Sequence, residues 1–176
     1  MTAGKGFVAL HAATDSFRGG KTIDPYIAML GGEFVIHGHQ QEATVKVTSP
    51  KFPGVGPMGE ESKFLEEWYT LKNFAPDLHV ILLQETHGMT DPCYQRPPYP
   101  ATWARTQEKG RVFYTSFGHR EDILVNPKVK SLILGGLAWA LRRADADVTA
   151  NISEVAPGAN TLAKLPPPKP KAPAKK

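Results

Sequence analysis

Residues 6–22 read GFVALHAATDSFRGGKT: an apolar run that ends on a histidine, a turn of small residues, and Gly-Gly-Lys-Thr close behind. Phe7–Leu10 is short and continuously apolar, which predicts a strand buried on both faces of an α/β sheet. Ligands bind such sheets beyond the carboxyl ends of the strands, and His11 stands at that place. Two other readings fail on single residues. A phosphate loop ending in Gly20-Lys21-Thr22 needs its first glycine at position 15, where Asp15 would set a carboxylate against phosphate oxygens. A nucleophile elbow needs Ser or Cys where His11 sits, and neither Thr14 nor Ser16 has the required glycine flanks. No nucleotide cofactor is expected.

Working outward, Asp24-Pro25 opens a short helix that Gly31-Gly32 stops after Leu30. Ala43–Thr48, Trp68–Leu71, Leu78–Leu83, Ala101–Arg105 and Arg111–Phe117 read as strands. Residues 52–59 read as loop, and the prolines between His87 and Pro100 argue against regular structure there. Asn126-Pro127 opens the clearest helix, with Val129, Leu132, Ile133, Gly136, Leu137, Ala140 and Leu141 on one face. After Arg143 the periodicity fades. Strands mixed with helices give an α/β class.

The formal net charge is +4, yet five lysines lie in residues 163–176, so the body at 1–162 carries −1. Without a basic face the chain lacks the footprint of nucleic-acid binding, and no apolar run approaches a membrane span. The stretch from residue 163, AKLPPPKPKAPAKK, is predicted to be a disordered Pro/Lys extension of a single domain at 1–162. The N-terminus lacks a signal-peptide layout, which points to the cytoplasm, with the periplasm left open if a targeting segment precedes this sequence. The one cysteine, Cys93, excludes an internal disulfide. Placed among prolines with no neighbouring histidine, it is not expected to be a catalytic thiol.

The remaining chemistry lies in histidines and one acidic pair. His11, His37, His39 and His119 are all expected on loops, where three could hold a divalent metal such as zinc with an open position. Asp15 or Glu67 would complete the shell or act as base. The spacing fits no compact metal motif, and the alternative is that each histidine simply orients its loop. Glu66-Glu67-Trp68-Tyr69 joins acids to aromatics, a combination that suits a sugar ring; the alternative is an acidic pair beside two core aromatics. His79 and His87 receive no role.

In this order GFVALHAATDSF, MLGGEFVIHG, EEWYTL, PATWARTQEKGRVFYTSFGHRED and NPKVKSLILGGLAWAL resemble the ThuA-like (trehalose utilisation) family, as does the closing DADVTANISEVAPGANTL. The resemblance implies a flavodoxin-like, class I glutamine amidotransferase-like sheet flanked by helices, and a link to carbohydrate metabolism. His11, His37, Glu67, Tyr69 and His119 fall on family motifs; His39 and Asp15 rest on the local argument alone. Relatives of that fold keep a nucleophile near His11, and its absence here argues against glutaminase activity. Family domains begin with further strands before the GFVALHA strand, so the resemblance also implies an exposed sheet edge that invites a homo-oligomer. The reading is therefore a carbohydrate-related protein that acts on a sugar or keto-sugar. His11, His119 and Glu67 are its catalytic groups; Tyr69, Trp68 and Asp15 are its substrate contacts. A non-catalytic carbohydrate-binding module and an amidotransferase-like hydrolase relative are the alternatives.

Overall fold

The structure, a computed structural model, describes residues 1–165; the Pro/Lys stretch from residue 166 onward lies outside the described residues. Its strands are β1 (Gly6–Leu10), β2 (Glu33–His37), β3 (Gln41–Val47), β4 (Glu61–Glu66), β5 (Tyr69–Lys72), β6 (His79–Gln84), β7 (Tyr99–Gln107) and β8 (Gly110–Thr115). The helices are α1 (Pro25–Leu30), α2 (Glu121–Val125), α3 (Pro127–Ala140) and α4 (Ile152–Val155), with 3₁₀ turns at His11–Asp15, Gly56–Met58 and Pro92–Tyr94.

Six strands form one sheet in the order β1-β8-β7-β6-β3-β4, and β2 pairs with β5 in a separate ribbon. Within the large sheet β1 and β8 run parallel and every other pair is antiparallel. The architecture is thus α/β, a sheet flanked by helices. Apolar clusters cover both of its faces. On one, Val129, Leu132 and Trp139 of α3 pack with Phe52, Phe113 and Phe117. On the other, Leu30 of α1 and Phe34, Tyr69 and Leu71 of the ribbon pack with Trp103 and Tyr114.

β1 departs from its sequence reading. It is an edge strand, and of its five residues only Ala9 is fully buried. Two strands went unanticipated. β4 turns Ser62, Phe64 and Glu66 inward, and an inward row that is two-thirds polar hides the alternation a strand normally shows. β2 follows directly on the Gly31-Gly32 stop and ends on His37, which therefore leaves a strand and not a loop. β7 begins at Tyr99 and takes in Pro100, two residues earlier than predicted. The chain beyond Arg143 also keeps one further turn of helix, α4.

Both predicted helix starts are capped by the expected residue. The Asp24 carboxylate accepts the Tyr26 N–H at 2.8 Å, and the Asn126 side chain accepts the Lys128 N–H at 3.0 Å. The twin glycines of α3 serve close approach. A Cβ on Gly136 would lie 2.6 Å from the Phe113 ring, and one on Gly135 would lie 1.9 Å from the Pro53 carbonyl oxygen. In an open helix interior Gly→Ala gains about 1 kcal/mol. Here the clash reverses the sign: Gly135→Ala is expected to destabilise by about 1–3 kcal/mol, read as a lower melting temperature in calorimetry.

Candidate functional site

Four segments converge at one end of the sheet. β1 and β8 are in parallel register, Leu10 opposite Thr115, so His11 and the Ser116–His119 segment leave the sheet side by side. β2 and β5 place His37 opposite Tyr69, and Glu67 lies between β4 and β5. His11 is buried, its backbone at φ 37° in the left-handed region, a strained conformation for a non-glycine residue. The local turn is elbow-like, with an imidazole where such turns carry a nucleophile.

Glu67 sits at the centre. Its Oε2 lies 3.3 Å from His11 Nε2 and 3.1 Å from His119 Nδ1, and its Oε1 lies 3.4 Å from His37 Nδ1. The hydrogen bonds fix what these contacts mean. His11 Nδ1 donates to the Ser116 carbonyl at 2.9 Å, because a carbonyl can only accept. In the neutral ring that leaves the Nε2 lone pair facing a carboxylate oxygen, acceptor against acceptor. The contact is favourable only when a proton or a cation lies between them.

One donor atom each from His11, Glu67 and His119 lies within 4.8 Å of the others. Metal–ligand bonds of about 2.1 Å at tetrahedral angles separate ligand atoms by roughly 3.4 Å. The contacts to Glu67, at 3.1 and 3.3 Å, are of that size. The donor set of two imidazoles and a carboxylate, with one imidazole oriented by a backbone carbonyl, suits a divalent cation such as zinc.

The other residues singled out in the sequence divide. His39 is outside the cluster: its exposed ring meets Asp91 at 3.0 Å. Asp15 pairs with Arg18, whose guanidinium lies over the Phe34 ring. Trp68 is wholly buried and its indole donates to the Gln41 carbonyl at 3.0 Å, so it is a core residue and no sugar platform. Tyr69 likewise presents no free face. Its ring packs against His11 and Phe34, with centroids at 4.0 and 4.2 Å, and stacks on His37 at 5.9 Å. Burial, with the charges of Glu67 and Asp15 adding to it, pushes its phenol up to about 12, so at neutral pH it is a proton-bearing donor. His79 bridges Ser49 and the Thr149 carbonyl, away from the cluster. Cys93 is buried, and burial with the Asp91 charge raises its thiol to about 11.

Two positioning residues escaped the sequence reading. Glu66, fully buried, accepts the Glu67 N–H at 2.8 Å and the Gly118 N–H at 3.1 Å, tying the Glu67 loop to the His119 loop. Tyr94 accepts the Gly38 N–H at 2.9 Å and donates to the Trp68 carbonyl at 2.7 Å, fixing the turn after His37. An acidic pair beside two aromatics was the only signal for Glu66, and it could not say which acid faces inward. Beside the cluster lies an open pocket of about 380 Å³ lined by Gln40, His119, Arg120, Glu121 and Asp122.

Comparison with known proteins now bears on this geometry. A family model described as trehalose utilisation, ThuA, matches residues 1–140. The chain belongs to the ThuA family. Among solved structures it is similar to a protein described as ThuA-like from Bacteroides uniformis, with a TM-score of 0.67 and 19% identity over 84% of this chain and 63% of that one. A second, from Parabacteroides merdae, gives a TM-score of 0.62 and 14% identity over 94% of this chain and 69% of that one. This chain thus spans less than two-thirds of the first relative's length, and at these identities the likeness speaks for the fold alone. No curated protein matches the sequence.

Glu66→Gln keeps the shape of the side chain but turns an amide donor toward one of the two N–H groups. A cost of about 1–3 kcal/mol is expected, measurable as a lower urea midpoint with an unchanged slope.

Proposed function

We propose that this ThuA-family chain binds a divalent cation, zinc being the best match to the donors, at His11, Glu67 and His119, and there acts on a sugar or keto-sugar by proton transfer. The observation that carries the reading is the acceptor-against-acceptor contact of His11 Nε2 with Glu67, which calls for a positive partner between the two groups. The family's link to trehalose utilisation supports a carbohydrate as the ligand class. Because neither Trp68 nor Tyr69 offers a free ring face, recognition would rest on oxygen donors and acceptors and not on stacking. A bound cation would supply polarisation of a substrate oxygen.

The chain's own groups divide the remaining work. His37 is half exposed, donates from Nδ1 to the Gly38 carbonyl at 3.0 Å, and touches Glu67. With Nδ1 engaged, its Nε2 is the ring nitrogen placed to exchange a proton with a substrate C–H or hydroxyl. The Tyr69 phenol adds a neutral donor to the same wall. Asp15 and Arg18 form the neighbouring polar rim. The amidotransferase-like alternative finds no support, since the turn carries no nucleophile and the only cysteine is a buried thiol.

Two measurements test the reading. Titration of the dialysed protein with zinc in a calorimeter is expected to show one site, weakened at least about tenfold in His11→Ala and His119→Ala. Incubation with ketoses such as fructose in D₂O should exchange the C–H beside the carbonyl, followed by NMR, and lose that exchange in Glu67→Gln. Sugar binding without exchange would favour the non-catalytic carbohydrate-binding module. Zinc binding unaffected by either histidine variant would remove the metal from the proposal.

A further inference from the structure

His79 makes a side-chain contact that the candidate site does not use. β7 is antiparallel to both β6 and β8, so β6 runs the same way as β8, and His79 opens it at the end away from His11 and Glu67. The His79 ring is hydrogen-bonded on both sides. Nδ1 lies 2.7 Å from the Thr149 carbonyl oxygen, and Nε2 lies 2.8 Å from the Ser49 hydroxyl. A carbonyl only accepts, so Nδ1 carries the proton and the neutral ring turns its Nε2 lone pair toward Ser49. The Ser49 O–H therefore donates to Nε2. This is the tautomer in which an imidazole can take a proton from a serine, with a backbone carbonyl in the orienting position where many such pairs use a carboxylate.

Three segments hold the pair in place. Ser49 begins a turn that the Phe52 N–H closes on the Ser49 carbonyl at 3.1 Å, with Pro50 in the position where turns favour proline. Phe52 is buried and stacks on Phe113 at 5.9 Å, which anchors the turn in the core. Just before Ser49, the Thr48 hydroxyl donates to the Val80 carbonyl at 2.7 Å, tying the turn to the residue after His79. The orienting carbonyl is fixed as well. Asp147 accepts the Thr149 N–H and hydroxyl at 2.9 and 2.7 Å, and the Asn151 side chain binds both backbone groups of Val80 at 2.6 and 3.1 Å. Hydroxyl, imidazole and carbonyl thus come from three parts of the chain and are locked by contacts of their own, the support that a reacting group needs.

Ser49 and His79 line a cleft of about 420 Å³ together with Lys51, Asp145 and Asp147, a volume within the range of small-molecule sites. We infer that Ser49 is a nucleophile and His79 its base, a second catalytic site that hydrolyses small acyl esters of a neutral, hydroxyl-bearing alcohol. Ser49 Oγ attacks the ester carbonyl carbon while its proton passes to His79 Nε2. The bond from that carbon to the alcohol oxygen breaks, and the alcohol leaves with the proton from Nε2. Water then attacks the acyl-serine, giving a proton to Nε2; the acid leaves and Ser49 Oγ takes the proton back. Among the described residues the Ser49 and Lys51 N–H groups take no backbone carbonyl, so with the Lys51 ammonium they are the donors available to the oxyanion. Asp145 and Asp147 accept hydroxyls of the alcohol and repel an anionic one. No residue of the His11, Glu67 and His119 cluster takes part.

Incubation of the 176-residue chain with diisopropyl fluorophosphate is expected to phosphorylate Ser49, located by mass spectrometry after digestion. His79→Gln, which removes the base but keeps a polar side chain, should slow that labelling at least about a hundredfold. In parallel, 4-nitrophenyl acetate should be hydrolysed by the unaltered protein and at least about a hundredfold more slowly by Ser49→Ala. Circular dichroism and a cooperative melt establish that each variant is folded; should His79→Gln unfold, Ser49→Ala carries the test. The inference is overturned if Ser49 of the unaltered protein takes no adduct, if a folded His79→Gln is labelled as fast, or if Ser49→Ala leaves ester hydrolysis unchanged.

Discussion

The parallel register of β1 with β8 is the constraint on which the candidate site depends. Leu10 lies opposite Thr115, so the two strands end together and release His11 and Ser116–His119 into the same space. An antiparallel pairing would send those segments to opposite ends of the sheet. The hydrogen bond from His11 Nδ1 to the Ser116 carbonyl then joins the two exits and chooses the imidazole tautomer. The Tyr114 hydroxyl donates to the His11 carbonyl at 2.9 Å and lies 3.1 Å from the Thr14 hydroxyl, so the same strand also holds the turn from below. These contacts keep His11 in its left-handed conformation, which an unconstrained chain would leave.

Around that fixed histidine the electrostatics are lopsided: one carboxylate, Glu67, faces three imidazoles. A second carboxylate, Glu66, is adjacent in sequence but opposite in role. Its oxygens are taken up by backbone N–H groups of the two loops, so it sets the positions of Glu67 and His119 and is not free to meet a ligand. Neighbouring residues divide in this way because β4 is pleated. Successive side chains point to opposite faces, and where the strand ends at Glu66 one acid is drawn into the core while the next remains at the rim.

The α/β class, the helix starts and the placement of His11 and His119 at strand ends were legible because each rests on local signals: a capping residue, a run of β-formers, a proline at the first helical position. His37 and Glu67 were legible as types but not as partners, since fifty-six residues separate His11 from Glu67 and only the β2–β5 ribbon brings His37 to Tyr69. Trp68 misled for a physical reason. Adjacent side chains of extended backbone face opposite ways, so the indole before β5 and the phenol that opens it could not both line a cleft; Trp68 went to one core cluster and Tyr69 to the other. His39, one residue past a glycine from His37, was drawn off by Asp91, which accepts both its backbone N–H and its ring N–H. No local pattern announces such a capture, because Asp91 comes from a loop more than fifty residues away.

Site and edge meet in β1. A strand hydrogen-bonded on one side only is the least supported element of a sheet, yet this one carries the buried imidazole to which Glu67 is referenced. The structure compensates from three directions. β8 supplies the ladder, the Ala140 turn of α3 presses on Gly6, and the Tyr114 hydroxyl binds the carbonyl of His11 just beyond the strand. The first two act along the strand and the third at its tip, and all three lie on the inner side or above. Together these supports make β1 and the turn that presents His11 one mechanical unit.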